Sequence, residues 1–421
     1  MIVVCEPQCE GLSHEKVNSG FLTLARRAFP GETIRVYAAE SHHDALRSIL
    51  AHDQVEVEDL ELRSFTVRDA YTARGMLGFY RQFLRLLEET VAAGATEILF
   101  LSTGPVLMHL LKRLHQRPAF AQLRFAFVMH AELEDIANDR YREVGATVVA
   151  EPSLLAKLRM IRPSELPGKV AGLVGRQLSA RYARAWHSRF RTRDELQAQP
   201  SPSYRLIALS PHVVANARNF IDVEALGMRA IEMPINFARV APAPANAHLK
   251  FATFGYGDPG ALRQVVEYLD RLAPKQPYEV RIIGMDNRGL EHHPHVTCPS
   301  PGKRLSRAEM EHQAGDIDAF LILYDRQRYR LSCSGSIFEA FSYVKPVLHI
   351  GNPCVAHFDQ PEHPIGFAHE NLEQLAHTMV RMIDAPQAAH RELAERRVNL
   401  ETLRTRLSID HHVAAFRDVI R

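Results

Sequence analysis

A run of small residues stands directly before a helix-forming stretch in "YRLSCSGSIFEAFSYVKPVLHI", residues 329–350. At the start of that helix, the small side chains of Ser334, Gly335 and Ser336 would leave the free backbone N–H groups open to an anion. Glu339 follows one turn later, on the helix face of Ser336, where a carboxylate suits two adjacent ribose hydroxyls. The stretch therefore predicts a binding site for a nucleoside diphosphate.

Two arginines stand just before the small residues. Arg328 and Arg330 could each donate charge-assisted hydrogen bonds to the same phosphates. The same composition also occurs where serines merely cap a helix and a glutamate makes a surface ion pair. The elements around the stretch decide between these two interpretations.

Short β-rich apolar runs alternate with amphipathic helical stretches along most of the chain, which predicts parallel sheets covered by helices on both faces. The alternation breaks in "EMPINFARVAPAPANAHLK", residues 232–250, and then restarts. With 421 residues to accommodate, we predict an α/β protein of two Rossmann-like domains that face each other across a cleft. The predicted parts are a first domain at 1–235, a linker at 236–250, a second domain at 251–400 and a C-terminal helix at 401–421 that packs along or across both domains.

The composition excludes several classes of function. The 51 basic and 49 acidic residues nearly cancel, so the chain is not predicted to bind nucleic acid. Five scattered cysteines argue against a disulfide framework and favour a reducing cytoplasm. The N-terminus does not read as a signal peptide, and no run of 18 apolar residues predicts a membrane span.

The segment "YRLSCSGSIFEAFSYVKPVL" resembles the donor-binding segment of GT-B-type glycosyltransferases, where a small-residue loop leads into a helix with a Glu-Ala pair and then a Pro-Val strand. "FATFGYG", "YEVRIIG" and "DIDAFLILYD" in the second half reinforce the resemblance, as do "VMHAELE" and "IALSPHVVAN" in the first. Within that group, the segment resembles bacterial nucleotide-sugar-dependent enzymes with a family-four-like donor domain. The resemblance implies a nucleotide-diphosphate-sugar as co-substrate, with no metal and no other cofactor.

The resemblance also bears on a loop and on the stereochemistry. "GYGDPG", residues 255–260, is similar to the family's loop near the donor sugar, which would make Gly255 and Gly257 donor-binding residues, although an ordinary strand-to-helix turn has the same composition. Retaining members commonly carry a glutamate eight residues before the ribose-binding one. Leu331 stands there instead, so the sequence leaves open whether the sugar is transferred with retention or inversion.

An inverting transfer needs a base beside the acceptor hydroxyl. His130 ends the strand "RFAFVMH" of the first domain, and an unperturbed pKa near ~6.5 would make it a usable base. Glu132 could orient the imidazole or take the role itself, and Glu10 lies in the loop after the first strand. We predict these three as the catalytic residues. The alternative interpretation is that they are solvated or satisfied polar groups.

A basic stretch in the first domain, residues 157–193, has an aromatic group and apolar residues interleaved with its cations. Such a stretch fits a surface that meets anionic lipid headgroups or an acceptor, and equally a solvated loop and helix. The residues predicted for that surface are Arg176, Arg181, Arg184, Trp186 and Arg189.

Together these patterns predict a glycosyltransferase that moves a sugar from a nucleotide-sugar to a glycan or lipid-linked acceptor, in bacterial surface polysaccharide or glycoconjugate synthesis. The predicted location is the cytoplasm, with attachment to the inner face of the membrane if the basic stretch meets lipid. A nucleotide-sugar epimerase of the same fold is the alternative enzyme. A non-catalytic nucleotide-sugar-binding protein is the third candidate, which Leu331 favours.

Overall fold

The protein is described by a computed structural model. Its two sheets follow one another along the chain, the first built from β1 to β7 and the second from β8 to β13. The residues that the structure describes are 1–55, 60–68, 70, 72–137, 190–198, 201–237, 246–255, 257–284, 289–290, 292–300 and 305–421.

The first domain contains a parallel sheet in the order β3-β2-β1-β4-β5-β6-β7. Its interior strand β1 reads IVVC and all four residues are buried, as expected for a parallel strand covered on both faces. The strands are β1 Ile2–Cys5, β2 Ile34–Ala38, β3 Leu60–Ser64, β4 Glu97–Phe100, β5 Arg124–Met129, β6 Tyr204–Ala208 and β7 Met228–Ala230.

Helices connect the strands of this domain. The first helix buries an almost continuous face of apolar and small residues. The third helix begins at a threonine cap, whose hydroxyl accepts a hydrogen bond from Gly75 N. The helices are α1 Glu15–Ala28, α2 Glu40–His52, α3 Ala73–Ala92, α4 Pro105–His115, α5 Glu134–Ala137, α6 Thr192–Gln197 and α7 Pro211–Ala217, with 3-10 turns at Pro118–Phe120 and Ala131–Leu133.

The second domain repeats this design with a parallel sheet in the order β10-β9-β8-β11-β12-β13. Its strands are β8 Leu249–Phe254, β9 Tyr278–Ile283, β10 Val296–Thr297, β11 Ala319–Ile322, β12 Val347–His349 and β13 Gly366–Ala368. Its helices are α8 Pro259–Leu272, α9 Arg307–Gly315, α10 Gly335–Ser342, α11 Pro353–Ala356 and α12 Leu372–Asp384. The prediction of two α/β domains with parallel sheets is confirmed.

Two further helices follow α12, namely α13 Pro386–Arg406 and α14 Ile409–Ile420. The last one packs against α1 of the first domain, where the Phe416 ring lies 6.2 Å from that of Phe21 and 6.3 Å from that of Phe29. Arg417 ties it further by donating to Ala28 O at 2.8 Å. The predicted start of the terminal helix at residue 401 falls inside α13, and the predicted linker end at 250 falls inside β8.

A glycine fixes how the linker crosses the first domain. A Cβ atom at Gly20, in the middle of α1, would clash with the backbone oxygen of Pro234. Only the missing side chain lets the segment just before the linker lie directly on this helix.

Candidate active site

The strand order reverses in the middle of each sheet, between β1 and β4 and between β8 and β11. At such a switch point the loops leave the strand ends in opposite directions and open a crevice, which is where open α/β sheets bind ligands. The loops after β1, β4 and β5 line it in the first domain, and the loops after β8 and β11 line it in the second. The residues predicted as catalytic or donor-binding all follow one of these five strands or lie in α10.

Glu339 is buried in α10, with 4% of its surface exposed. It forms an ion pair and a hydrogen bond with Lys16, and its carboxylate also lies 3.5 Å from Arg307 Nη1 and accepts a hydrogen bond from Tyr343 OH at 3.2 Å. All of these contacts are made by Oε1. The other oxygen, Oε2, takes part in none of them.

The two cations beside Glu339 come from different parts of the chain. Lys16 lies in the first turn of α1, so its contact with Glu339 joins the two domains across the crevice. Arg307 begins α9 and also donates to Asn236 O in the linker at 2.8 Å. Burial alone would lower the pKa of Arg307, but Glu339 and the other nearby acids outweigh it and raise that pKa. The Glu339 carboxylate therefore lies beside a guanidinium that stays charged.

The glycine-rich loop after β8 touches the N-terminus of α10. Gly255 has φ of 69°, in the left-handed region, and a Cβ atom there would clash with Ser336 Oγ. Gly257 also has a positive φ, of 51°. Ser334 stands at the N-cap of α10 and Gly335 is its first residue. The structure thus brings together two segments that are about 80 residues apart.

The loop that carries the predicted arginines is held by the first domain. Asn216 Nδ2 donates to Arg330 O at 2.8 Å, and His212 Nε2 lies 3.0 Å from Tyr329 O. The Arg328 guanidinium lies 6.0 Å from the centre of the Tyr324 ring, and its side chain is exposed. Arg330 is partly exposed, and its Nη1 donates to Gln327 at 3.3 Å.

Leu331 occupies the position where the sequence analysis noted a missing glutamate. It is fully buried and packs into the apolar core of the first domain. Its backbone N–H donates to Glu134 Oε1 at 2.9 Å, and the same oxygen accepts from Ser332 Oγ at 2.7 Å. This position therefore anchors the loop, and a carboxylate of the first domain lies beside it.

His130 ends β5 at the crevice. Its Nε2 lies 2.8 Å from Leu101 O, a contact that fixes the proton on Nε2 and leaves Nδ1 with a lone pair. The ring of His14 lies 4.6 Å from that of His130, and His14 itself adopts the left-handed conformation with φ of 54°. Burial, helped by the neighbouring His14, lowers the pKa of His130 to about 4. Its imidazole is therefore neutral at pH 7, and a weaker base than the sequence suggests.

Glu132 does not orient the imidazole. Its Oε2 instead accepts a hydrogen bond from the backbone N–H of His130 at 2.8 Å. Burial raises the pKa of Glu132 to about 7. A carboxylate with that pKa can take up and release a proton near neutrality. Glu10, the third predicted residue, is exposed in the loop after β1.

A buried carboxylate that the sequence analysis missed holds this loop in place. Glu6 follows β1 directly and is fully buried. It accepts hydrogen bonds from the backbone N–H groups of Gln8 and Cys9 at 2.9 and 3.0 Å, from Asn18 Nδ2 at 3.0 Å and from the Ser102 hydroxyl. The loops after β1 and β4 are joined through it. Its position right after the first strand was the available signal.

No family model and no curated protein matches this sequence. Solved structures of similar architecture do match it along its whole length. A glycosyltransferase from Rickettsia africae aligns with a TM-score of 0.58 and 11% identity, over 100% of this chain and 97% of the other. HepE of Anabaena, in complex with UDP-glucose, aligns with a TM-score of 0.56 and 12% identity, over 99% and 98%. The chain has the GT-B fold.

A third GT-B structure is that of S. aureus TarM, in a complex that contains UDP. It aligns with a TM-score of 0.58 and 8% identity, over 100% of this chain and 99% of the other. At these identities the likeness concerns the fold. In this fold, the crevice between the two sheets corresponds to the interdomain cleft.

One predicted surface lies outside the described residues. Residues 138–189, which include Arg176, Arg181, Arg184, Trp186 and Arg189, are not among them. Among the helices that the structure does describe, none has the length and apolar character needed to cross a membrane.

Proposed function

We propose that this protein is a glycosyltransferase, which transfers a sugar from a nucleotide-diphosphate-sugar in the second domain to an acceptor in the first. The observation that carries the proposal is the placement of Glu339. It lies in α10, whose N-terminus touches the glycine loop, and it faces the first domain through Lys16. The fold supports the proposal, because glycosyltransferases of this fold have been solved with UDP or UDP-glucose.

In this proposal the donor's diphosphate binds at the N-terminus of α10. Ser334, Gly335 and Ser336 present backbone N–H groups there, and the helix dipole favours negative charge. Arg328 and Arg330 reach the same phosphates. Neutralisation of the leaving diphosphate by these groups supplies the electrostatic stabilisation that the transfer needs.

The donor's ribose is bound by Glu339. Arg307 and Tyr343 hold the carboxylate through Oε1, so Oε2 is available to accept hydrogen bonds from the ribose hydroxyls. Lys16 lies beside the same carboxylate and can turn toward the phosphates when the donor binds. Because Lys16 belongs to the first domain, donor binding would reinforce the contact between the domains.

We propose that Glu132 is the general base that removes the proton from the acceptor hydroxyl. Its pKa of about 7 matches the working pH of a general base, whereas that of His130 lies about three units lower. His130 then remains a neutral imidazole with its proton on Nε2, and the single proton of the acceptor hydroxyl goes to Glu132. This assignment applies to an inverting transfer, and a retaining one would leave Glu132 without this role.

The acceptor is proposed to be a glycan or a lipid-linked sugar, in bacterial surface polysaccharide or glycoconjugate synthesis on the cytoplasmic side of the membrane. The support is the basic stretch at 157–193, whose cations and single tryptophan suit an anionic lipid surface.

Incubation with nucleotide-sugars tests the proposal. The full chain is given UDP-glucose and then other nucleotide-sugars, with and without candidate oligosaccharide acceptors, and products are resolved by chromatography. Transfer that requires an acceptor supports the proposal. Conversion of the donor into another nucleotide-sugar without acceptor indicates an epimerase, and binding without turnover indicates a binding protein. Absence of any binding across the panel excludes all three.

A further inference from the structure

Two cysteines and a histidine meet behind the loop that carries the arginines. A nitrogen of His212 and the sulfurs of Cys333 and Cys354 all lie within 4.8 Å of one another. His212 comes from α7 of the first domain, Cys333 from the loop before α10 and Cys354 from α11. The three residues are 21 to 142 positions apart in the sequence, so no local motif points to them.

The contacts of His212 leave its Nδ1 as the unprotonated ring nitrogen. Its Nε2 lies 3.0 Å from Tyr329 O, a backbone acceptor, so the proton is on Nε2. Its Nδ1 lies 2.8 Å from Ser210 Oγ, and the Cys333 thiol is in hydrogen-bond contact with both Ser210 and Cys354. Metal-bound histidines are commonly held this way, with the second N–H donated to a backbone carbonyl.

The surroundings are polar and mostly buried, with Cys333 partly exposed. His212 has 8% of its surface exposed, and Ser210 and Cys354 are fully buried. Glu232 stands on one side, 3.9 Å from His357 Nε2 and 3.9 Å from His412 Nε2, and its charge acts on Cys333. An imidazole of the first domain and two thiols of the second therefore converge, with Glu232 and two further histidines nearby.

We propose that His212 Nδ1, Cys333 Sγ and Cys354 Sγ bind one Zn²⁺ ion, with the fourth position facing Ser210 Oγ. Two thiolates and one imidazole are the ligand set that zinc prefers among common divalent ions. A tetrahedral ion with metal–ligand distances of ~2.0–2.3 Å holds its ligand atoms ~3.3–3.8 Å apart. The three ligand atoms all lie within 4.8 Å of one another, so small side-chain movements bring them to that spacing. Each thiol releases its proton to solvent as its sulfur–zinc bond forms.

Zinc at this point would fasten three segments together. It would join the start of α7, the loop of Arg328 and Arg330, and α11, in addition to the hydrogen bonds of Asn216 and Glu134. The ion lies behind this loop, so its role is to hold the domains together. The inference does not depend on the proposed glycosyl transfer, because zinc content is measured without substrate.

The experiment measures zinc in the full chain, purified under reducing conditions, by mass spectrometry of the metal. About one Zn²⁺ per chain is expected, as the three residues form one site. Cys354→Ser should lower the affinity for added Zn²⁺ by more than about a hundredfold, since even groups that only orient a ligand contribute about 10- to 100-fold. Cys298→Ser, a cysteine outside the cluster, is the matched control and should keep its zinc.

A second measurement avoids dependence on how the variant folds. The wild-type chain is stripped with a chelator and titrated with Co²⁺, whose absorption spectrum shows a thiolate charge-transfer band only when sulfur is bound. The band should appear at one equivalent and vanish when Zn²⁺ is added. A wild-type chain that takes up neither ion, or in which Cys333 and Cys354 form a disulfide under reducing conditions, overturns the proposal.

Discussion

The identity of the base can be decided from the pH dependence of turnover. Glu132 and His130 are neighbours at the end of β5, yet burial moves their pKa values in opposite directions, to about 7 and to about 4. Glu132→Gln removes the proposed base and keeps an amide oxygen near the backbone N–H of His130. His130→Asn removes the imidazole and keeps a small polar side chain. Each variant is compared with the wild type from pH 5 to pH 9.

The two assignments differ by a factor that is easy to measure. If Glu132 is the base, about a tenth of it is ionised at pH 6 and about a hundredth at pH 5, so turnover should fall about tenfold per pH unit below 7. If His130 were the base, it would be almost fully deprotonated from pH 5 upward and turnover would not change. Loss of the base should lower turnover by about two to four powers of ten.

The assay follows release of the nucleoside diphosphate at saturating donor. Where no acceptor has been found, the slow hydrolysis of the donor is measured instead, because a water molecule that attacks the sugar needs the same base. Donor affinity is measured beside each rate by calorimetry and should not change in Glu132→Gln. A pH-independent rate in the wild type together with full turnover in Glu132→Gln would refute the assignment. Full turnover in both variants would point to a retaining transfer, which uses no such base.

Further predictions concern the donor site and stability. Glu339→Gln should weaken donor binding by about 1 to 3 kcal/mol, measured by calorimetry, and unchanged affinity in the folded variant would contradict the ribose assignment. Lys16→Met should lower the free energy of unfolding, measured in urea, by less when Glu339 is already replaced by Gln than when it is present. Equal losses of stability in both backgrounds would show that the two side chains of the buried pair are not coupled. Gly255→Ala should lower the free energy of unfolding by about 1 to 3 kcal/mol, because Gly255 has a positive φ and an added Cβ would clash with Ser336. The double variant with Ser336→Gly should recover part of this loss. An unchanged urea midpoint in Gly255→Ala would contradict the packing. The pKa of Glu132 is raised from 4.5 to about 7 in the folded protein. The folded state therefore gains its full stabilisation from protonated Glu132 below pH 4.5, and it loses this stabilisation as the pH rises through 7. Between pH 4.5 and pH 8 the free energy of unfolding of the wild type should therefore fall by about 3 kcal/mol relative to that of Glu132→Gln. Parallel curves of unfolding free energy against pH for the two proteins would exclude this pKa.

The sequence by itself determined the two-domain α/β fold. Alternation of apolar strands with amphipathic helices is a local property, and it alone requires parallel sheets with helices on both faces. The helix with Glu339 was predictable for the same reason, because small residues, a helix-forming run and the Lys345-Pro346 stop are adjacent in the chain. The structure ends this helix at Ser342, where Val344 adopts the left-handed conformation before the proline.

Only the tertiary structure decided which charges surround that glutamate. Lys16 is 323 residues away from it and Arg307 is 32 residues away, so neither contact follows from a local pattern. The cluster of His212, Cys333 and Cys354 has the same origin. Parallel sheets bring the ends of strands together at one edge, whichever residues separate them along the chain.

The tertiary structure also set the protonation of the groups in the cleft. The sequence assigned His130 the ordinary pKa of a histidine, whereas burial lowers that pKa to about 4 and raises that of Glu132 to about 7. Desolvation depends on every atom packed around a group, and those atoms come from segments that are far apart in the sequence. Residue type therefore determined which side chains could act as acid or base, and packing determined at which pH each one can do so.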